Sequence, residues 1–233
     1  MIEPKISQLV SSSRDRRSLE GLINDIHEGR VALLVGAGAD IALSNSSSWN
    51  TLLTQLFPAE DPPKDDLVKS WMIELATVAR NYWGDQLFYE KVNNQIGKKR
   101  RKSQLWNALK KLSNQVPLVV TTNYSRWLFW ALAQEKTPTV VDRSTLKSIR
   151  LPTPGCTNLQ PVLVHLHGRS TEIVLDRLNY DRAEYADLLY RDFLVRLFEN
   201  WTVLAIGVSF IDPVLRAAAS LARSRPTRGG PRR

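Results

Sequence analysis

The sequence predicts an α/β protein with a Rossmann-like, doubly wound and mainly parallel sheet, accompanied by a helical insert at about residues 45–115. Three observations lead to this fold class. Short, continuous apolar runs alternate with stretches of helical periodicity. Four of these runs are followed directly by glycine-rich or polar segments. Between residues 45 and 115 there is no comparable run, and only helical patterns occur.

The chain opens with a predicted helix and a predicted buried strand. Residues 5–28 carry apolar side chains at roughly helical spacing, and Gly29 ends this pattern. Val31–Val35 is apolar throughout and runs into glycine, as expected of a parallel strand that is buried on both faces.

The insert is predicted to hold three or four helices packed beside the sheet. Pro58, Pro62 and Pro63 separate the first helix from the second. The predicted helices are Trp49–Phe57, Asp66–Trp83, Gln86–Ile96 and Ser103–Leu112.

The rest of the chain returns to alternating strands and helices. The predicted strands are Val116–Thr121, Thr139–Val141, Pro161–Leu166, a short one at Ile173–Leu175, and Trp201–Ile206. The predicted helices are Ser125–Ala133, Asp181–Glu199 and Pro213–Ala222. We therefore expect one domain over residues 1–223. Residues 224–233, rich in Arg, Pro and Gly, are expected to form a basic disordered tail or linker.

Composition narrows the class of protein. No apolar run is long enough to span a bilayer, and the first twenty residues lack the apolar core of a signal peptide, so a cytoplasmic protein is expected. Cys156 is the single cysteine, which excludes an internal disulfide and a four-cysteine zinc site, and no metal is expected. The net charge of +9 includes the run Lys98–Lys102, which suits a solvated face or an acidic partner. Nucleic acid has no further support, because no aromatic side chains are interleaved with this run.

The first segment after a strand is glycine-rich and runs from Gly36 to Asp40. Glycine allows a sharp turn and lets a pyrophosphate approach backbone amides. A tight turn without a ligand is the alternative. A Rossmann fingerprint would have a third glycine where this chain has Ile41.

The other three segments are polar. Thr121–Tyr124 contains Asn123, which offers a donor and an acceptor for ribose hydroxyls or water, or which caps the next helix. His165–Gly168 places His167 at a strand end beside glycine, where imidazole can take up a proton, whereas His165 is expected to have a mainly structural role. In Gly207–Pro213, Ser209 can bind a phosphate or a ribose, and Asp212 can do so or cap a helix.

These four segments, in this order, resemble the sirtuin-like family. Its bacterial members carry Gly-Ala-Gly, Thr-Thr-Asn-Tyr, His-Leu-His-Gly and Gly-x-Ser-x-x-Asp-Pro segments, and the resemblance covers residues 31–216. Ser48–Leu53 and Asn179-Tyr180 also fit the family pattern. Two positions differ, because this chain has Asp40 where the family usually has Ser, and Ser125 where it usually has Asp.

The resemblance implies NAD as the substrate. The residues expected to contact NAD are Gly36, Ala37, Gly38, Asp40, Thr122, Ser125, Gly207, Ser209 and Asp212, and the expected catalytic residues are Asn123 and His167. The implied activity is that of an NAD glycohydrolase, as in bacterial anti-phage effectors that deplete NAD. Such an effector implies control by a partner protein or by self-assembly. The alternatives are a non-catalytic NAD-binding module, favoured by the two departures, and a protein deacylase, disfavoured by the missing zinc cysteines.

Overall fold

The structure is a computed structural model that describes residues 13–44, 49–56, 68–96, 104–133, 136–156, 160–168, 173–210 and 212–224. Its strands are β1 (Val31–Val35), β2 (Leu118–Thr121), β3 (Thr139–Asp142), β4 (Val162–His165) and β5 (Thr202–Ile206). They form one sheet in the order β3-β4-β2-β1-β5, and every neighbouring pair is parallel. The predicted doubly wound parallel sheet is therefore confirmed.

Helices cover both faces of this sheet. They are α1 (Ser13–His27), α2 (Ala37–Ser44), α3 (Trp49–Leu56), α4 (Val68–Ile96), α5 (Gln104–Ser113), α6 (Trp127–Leu132), α7 (Arg177–Asp181), α8 (Leu188–Asn200) and α9 (Pro213–Ser224). A 3₁₀ helix follows β3 at Arg143–Ser148, and a π-helical turn at Arg182–Ala186 joins α7 to α8.

The alternation of side chains along β1 supplies two cores. Leu33 packs with residues of α5 and α6 on one face, whereas Leu34 packs with residues of α8 and α9 on the other. All five residues of β1 are fully buried, so β1 is the central strand of a three-layer arrangement. Within the described residues, none of the helices is both long and apolar enough to cross a membrane.

The insert is helical wherever the structure describes it, in α3, α4 and α5. The two helices predicted at Asp66–Trp83 and Gln86–Ile96 are one element, α4, kinked at Gly84 with φ of 73°. Glycine adopts this left-handed conformation without the steric penalty of a Cβ, which explains why the kink lies there. The basic run Lys98–Lys102 and the tail beyond Ser224 lie outside the described residues.

Three predicted elements differ from the structure. Ile173–Leu175 is not a strand: Ile173 and Leu175 are buried against the insert and Val174 against the sheet, so burial on both sides explains the apolar run. The helix predicted at Ser125–Ala133 begins at Trp127. The helix predicted at Asp181–Glu199 is divided by the π-helical turn.

Candidate active site

The register of the sheet places the last residues of all five strands in one row. Val35 lies opposite Thr121 and Ile206, and His165 lies opposite Thr121 and Asp142. The four segments that follow β1, β2, β4 and β5 therefore share one edge of the sheet. The direction of winding changes between β1 and β5, and this switch point is where open α/β sheets bind ligands.

Three glycines form the contact between the β1–α2 turn and the loop after β5. A Cβ on Gly36 would lie 2.4 Å from the carbonyl oxygen of Gly207, and one on Gly207 would lie 2.3 Å from the amide nitrogen of Ala39. A Cβ on Gly38 would meet Gly207 at 3.0 Å. Gly207 also has φ of 64°, in the left-handed region. The packing of the two backbone segments across the switch point thus requires these glycines even without a ligand.

This packing revises the expected pyrophosphate cradle. Residues 37–44 form α2 rather than a loop, and the amides of Gly36 and Gly38 already donate to Ile206 and Gly207, both at 2.9 Å. The amide of Ala39 donates to Gly36. Of these four consecutive amides, only that of Ala37 donates no hydrogen bond to the part of the chain that the structure describes. Ala37 and Gly38 are exposed at the start of α2, where the helix dipole favours an anion.

Asn123 is fixed from three directions by hydrogen bonds. Its backbone N–H donates to the Thr121 hydroxyl at 3.0 Å, and its side-chain Nδ2 donates to the Gly36 carbonyl at 3.0 Å. Its backbone carbonyl lies 3.1 Å from Nδ1 of His165, which must be the donor because a carbonyl only accepts. The side-chain oxygen of Asn123 is buried and accepts no hydrogen bond from the described residues.

The helix-cap alternative for Asn123 is wrong. Helix α6 begins at Trp127, and the residue at its N-cap is Arg126, so Asn123 lies too early to cap it. A buried amide oxygen without a donor is costly in a folded protein. A polar ligand that donates a hydrogen bond to this oxygen would remove that cost.

His167 lies in the turn after β4, between two tyrosines. Its ring centroid is 6.2 Å from that of Tyr124 and 5.7 Å from that of Tyr180, which meets it edge-on. Nε2 of His167 lies 3.2 Å from Oδ2 of Asp212. His167 is 6% exposed and Asp212 is 3% exposed, so a buried carboxylate lies beside this buried imidazole.

Asp212 uses its two oxygens differently. Oδ1 caps α9 by accepting from the amides of Val214 at 3.0 Å and Leu215 at 3.2 Å, as the cap prediction expected. Oδ2 accepts from the Tyr180 hydroxyl at 3.3 Å and faces His167. Burial raises the pKa of Tyr180, and the charge of Asp212 raises it further, so this hydroxyl stays a donor.

The remaining predicted contacts lie around this centre. Ser209 and Gly207 are exposed in the loop after β5, and the Ser209 carbonyl accepts from the amide of Asp212 at 3.4 Å. Thr122 is half-buried and donates its amide to Val35 at 3.2 Å. The outer rim therefore carries Ser209 and the start of α2, whereas the asparagine and the histidine lie deeper.

Asp40 and Ser125, the two departures from the family pattern, lie beside each other. Asp40 is in the first turn of α2 and is 8% exposed. Burial raises the pKa of its carboxyl to about 7, and the nearby polar side chains of Ser125 and Asn123 lower the pKa in part. The carboxyl thus lies near the asparagine of the site.

Sequence reasoning missed three side chains that build this centre. The Thr121 hydroxyl links Asn123 to β1 through a 2.9 Å hydrogen bond to the Val35 carbonyl. Tyr124 donates to the Val174 carbonyl at 2.9 Å. Tyr124 and Tyr180 could have been found, since both belong to the quoted motifs. Thr121 could not, because a threonine that ends a strand resembles any other β-branched residue in a strand. Among the described residues, no group of three or more His, Cys, Asp or Glu could hold a metal ion.

Comparison with known proteins finds a family model that matches the part of the chain from β2 onward. The family model of the SIR2-like domain matches residues 117–231. The matched range begins just before β2 and includes Asn123, His167 and Asp212, whereas β1 and the glycines after it precede the range. No curated protein matches the chain.

Proposed function

Because the chain belongs to the sirtuin-like domain family, whose members act on NAD, we propose that it is an NAD glycohydrolase. The reaction breaks the bond between nicotinamide and C1′ of its ribose and forms a bond from C1′ to a water oxygen. The products are nicotinamide, ADP-ribose and one proton, which passes from the attacking water to a base.

The observation that carries this proposal is the fixed Asn123 side chain with a buried acceptor. Its position is set by Thr121, Gly36 and His165, so its amide oxygen is held in place before a ligand arrives. A ribose hydroxyl or the attacking water would supply the missing donor. Prior orientation of this kind lowers the barrier, because little further ordering is needed in the transition state.

His167 is the proposed base. Its Nε2 lies 3.2 Å from Oδ2 of the buried Asp212 carboxylate, and Nδ1 is the nitrogen proposed to accept the proton. The carboxylate also stabilises the imidazolium that forms when the water loses its proton. Asp212 is therefore proposed to orient the base rather than to bind NAD directly.

The exposed rim suits the diphosphate end of NAD. The amide of Ala37 at the start of α2 is proposed to bind a phosphate oxygen, with Gly38 and Gly207 providing close backbone approach. Ser209 is proposed to donate its hydroxyl to a phosphate or to the adenosine ribose. Thr122 and Ser125 are proposed to border the nicotinamide ribose.

Nicotinamide release, measured by mass spectrometry with and without an acetylated peptide, tests the activity. Peptide-independent release is expected, with loss of release in His167→Ala and Asn123→Ala while NAD binding by calorimetry persists. His27→Ala is the matched control, because this exposed histidine ends α1 at the opposite edge of the sheet. Release only with the peptide would indicate a deacylase. Binding without any release would indicate a non-catalytic NAD-binding module.

The biological role that we propose is NAD depletion in the cytoplasm during anti-phage defence. Its support is the resemblance to bacterial effectors and the hazard of uncontrolled NAD cleavage, which requires a partner protein or self-assembly as control. Cellular NAD should fall after phage infection in bacteria that express the chain, and should not fall with His167→Ala. An unchanged NAD content would show that the chain does not deplete NAD during infection.

A further inference from the structure

We infer that α4 of the insert positions His167, the proposed base, and that Thr77 and Arg80 are the positioning residues through which it does so. The inference rests on the proposed function for its catalytic consequence. Its structural basis is a connected set of contacts that runs from α4 through residues 174–180 to His167. Both positioning residues lie outside the four segments that follow the strands.

Residues 174–180 hold His167 at two points. The amide of Val174 donates to the His167 carbonyl at 2.8 Å, which joins the two backbone segments. Tyr180, in α7, meets the His167 ring edge-on, with the ring centroids 5.7 Å apart. The Tyr180 hydroxyl also donates to Oδ2 of Asp212 at 3.3 Å. A displacement of residues 174–180 would therefore move the imidazole relative to the Asp212 carboxylate.

Thr77 fixes the start of α7 to the insert. Its Oγ1 accepts from the backbone amide of Arg177, the first residue of α7, at 3.0 Å. The same hydroxyl donates to the Ile73 carbonyl at 2.9 Å within α4, so its own position is set by the helix that carries it. The first amides of a helix have no acceptor within that helix, and Thr77 supplies one for α7.

Arg80 lies one turn further along α4 and binds the cap of α7. Its Nη1 donates to Oδ2 of Asp176 at 2.9 Å, and Oδ1 of Asp176 caps α7 by accepting from the amide of Asn179 at 3.1 Å. Nε and Nη2 of the same guanidinium donate to the two oxygens of Asp85 at 2.7 and 2.8 Å. This paired contact fixes the plane of the guanidinium. Asp176 is 1% exposed, so the cap meets a fixed partner in a buried place.

A third contact between the same two elements provides a control. Nη2 of Arg177 lies 2.6 Å from Oε1 of Glu74, but their side chains are 43% and 54% exposed. Exposed ion pairs hold geometry weakly, because water competes for both groups and both side chains lose conformational entropy. Arg177→Ala should therefore leave α7 and His167 where they are.

Thr77→Val and Arg80→Met remove the two positioning contacts. Valine has nearly the shape of threonine without the hydroxyl, and methionine keeps an aliphatic stem without the charge. We expect each variant to lower kcat about tenfold or more with KM changed less than about threefold, because a misplaced base slows the reaction step more than it weakens NAD binding. Thr77→Ser, which keeps the hydroxyl, and Arg177→Ala should match the wild type. If Arg80→Met does not fold, because Asp176 is buried without its partner, Thr77→Val decides the inference.

A readout without activity tests the coupling itself. The chain has three histidines, so the ring Cε1–Hε1 signals of the ligand-free, ¹³C-labelled protein are few. The His167 signal is identified by its loss in His167→Ala, and the signal of the exposed His27 is the internal reference. The His167 signal should move in Thr77→Val and Arg80→Met and should stay in place in Thr77→Ser and Arg177→Ala. If the wild type releases no nicotinamide, the proposed activity fails, and this signal still decides the coupling.

Two outcomes in variants that stay folded by circular dichroism would overturn the inference. One is a His167 signal at the same position in the wild type, Thr77→Val and Arg80→Met. The other is an unchanged kcat in both variants of an active enzyme. With a raised KM, that second result would mean that α4 acts on NAD binding. With an unchanged KM, it would mean that these contacts serve only the fold.

Discussion

Substituting Asp212 by Asn and by Ala separates the two tasks of its carboxylate oxygens. Oδ1 caps α9, and Oδ2 accepts from Tyr180 and faces His167. Asparagine caps helices about as well as aspartate, so Asp212→Asn keeps the cap and removes the charge. Alanine removes both.

The structure sets the size of each effect. Losing the cap costs about 1 kcal/mol of unfolding free energy. Leaving the fully buried Tyr180 hydroxyl without its acceptor costs about 1–3 kcal/mol more. Asp212→Ala should therefore lose about 2–4 kcal/mol, whereas Asp212→Asn should lose about 1 kcal/mol or less, mainly from the weaker interaction with the α9 dipole.

Thermal unfolding and nicotinamide release measure the two tasks on the same samples. For a chain of this size each kcal/mol corresponds to about 2–4 °C in Tm, so the alanine variant should melt about 5–15 °C lower. Both variants should lose about 10²-fold or more in kcat, because the proposed base His167 loses the carboxylate that lies 3.2 Å from its Nε2. Asp187→Asn, which changes the cap of α8 away from the site, is the control and should keep full turnover.

Two results would refute this reasoning. Full turnover in Asp212→Asn would show that the charge facing His167 has no catalytic effect. Equal destabilisation by both substitutions would show that asparagine preserves neither the cap of α9 nor the contact with Tyr180.

Two further predictions concern buried charge. Burial raises the folded-state pKa of Asp40 to about 7, so the stability that this carboxyl contributes is present below about pH 4 and is lost as the pH rises to 7. The loss is at most about 4 kcal/mol. Calorimetry of Asp40→Asn should no longer show this dependence of stability on pH. Arg80→Ala leaves Asp176, which is 1% exposed, without the guanidinium 2.9 Å away and should cost about 3–5 kcal/mol in urea unfolding. Arg177→Ala, which removes an exposed ion pair between the same two elements, should cost about 1 kcal/mol or less, and equal costs would contradict the argument.

The sheet could be predicted because parallel strands buried on both faces have a plain signature. Val31–Val35 is apolar at every position, and the structure gives it the predicted bounds. The same signature misled at Ile173–Leu175, where three apolar residues are buried between the insert and the sheet without pairing to a strand. Apolar composition indicates that a segment is buried, but a buried segment forms a strand only where a neighbouring strand pairs with its backbone.

The site could be located from sequence, but its internal contacts could not. Every strand in a parallel sheet has its carboxyl end at one edge, so the segments after the strands had to meet there. Which of them touch depends on strand order, and β4 lies between β2 and β3. That order brings His165 beside Asn123, a contact 42 residues apart in sequence that no local pattern encodes. Likewise, only the folding of α2 beside the β2–α6 segment brings Asp40 near Ser125.

The glycines after β1 permit a last prediction that distinguishes ligand approach from backbone packing. In Gly36→Ala the new methyl group would lie 2.4 Å from the Gly207 carbonyl oxygen and 2.7 Å from Cα of Val208, and backbone atoms cannot turn aside as a side chain can. We expect a loss of about 2–3 kcal/mol or more in urea unfolding, with or without NAD. Gly21→Ala, in α1 with no atom within 4 Å of the new methyl, should instead gain about 0.5–1 kcal/mol from helix propensity. If Gly36→Ala is as stable as the wild type and only fails to bind NAD, then this glycine serves the ligand, and the packing of the two loops does not depend on it.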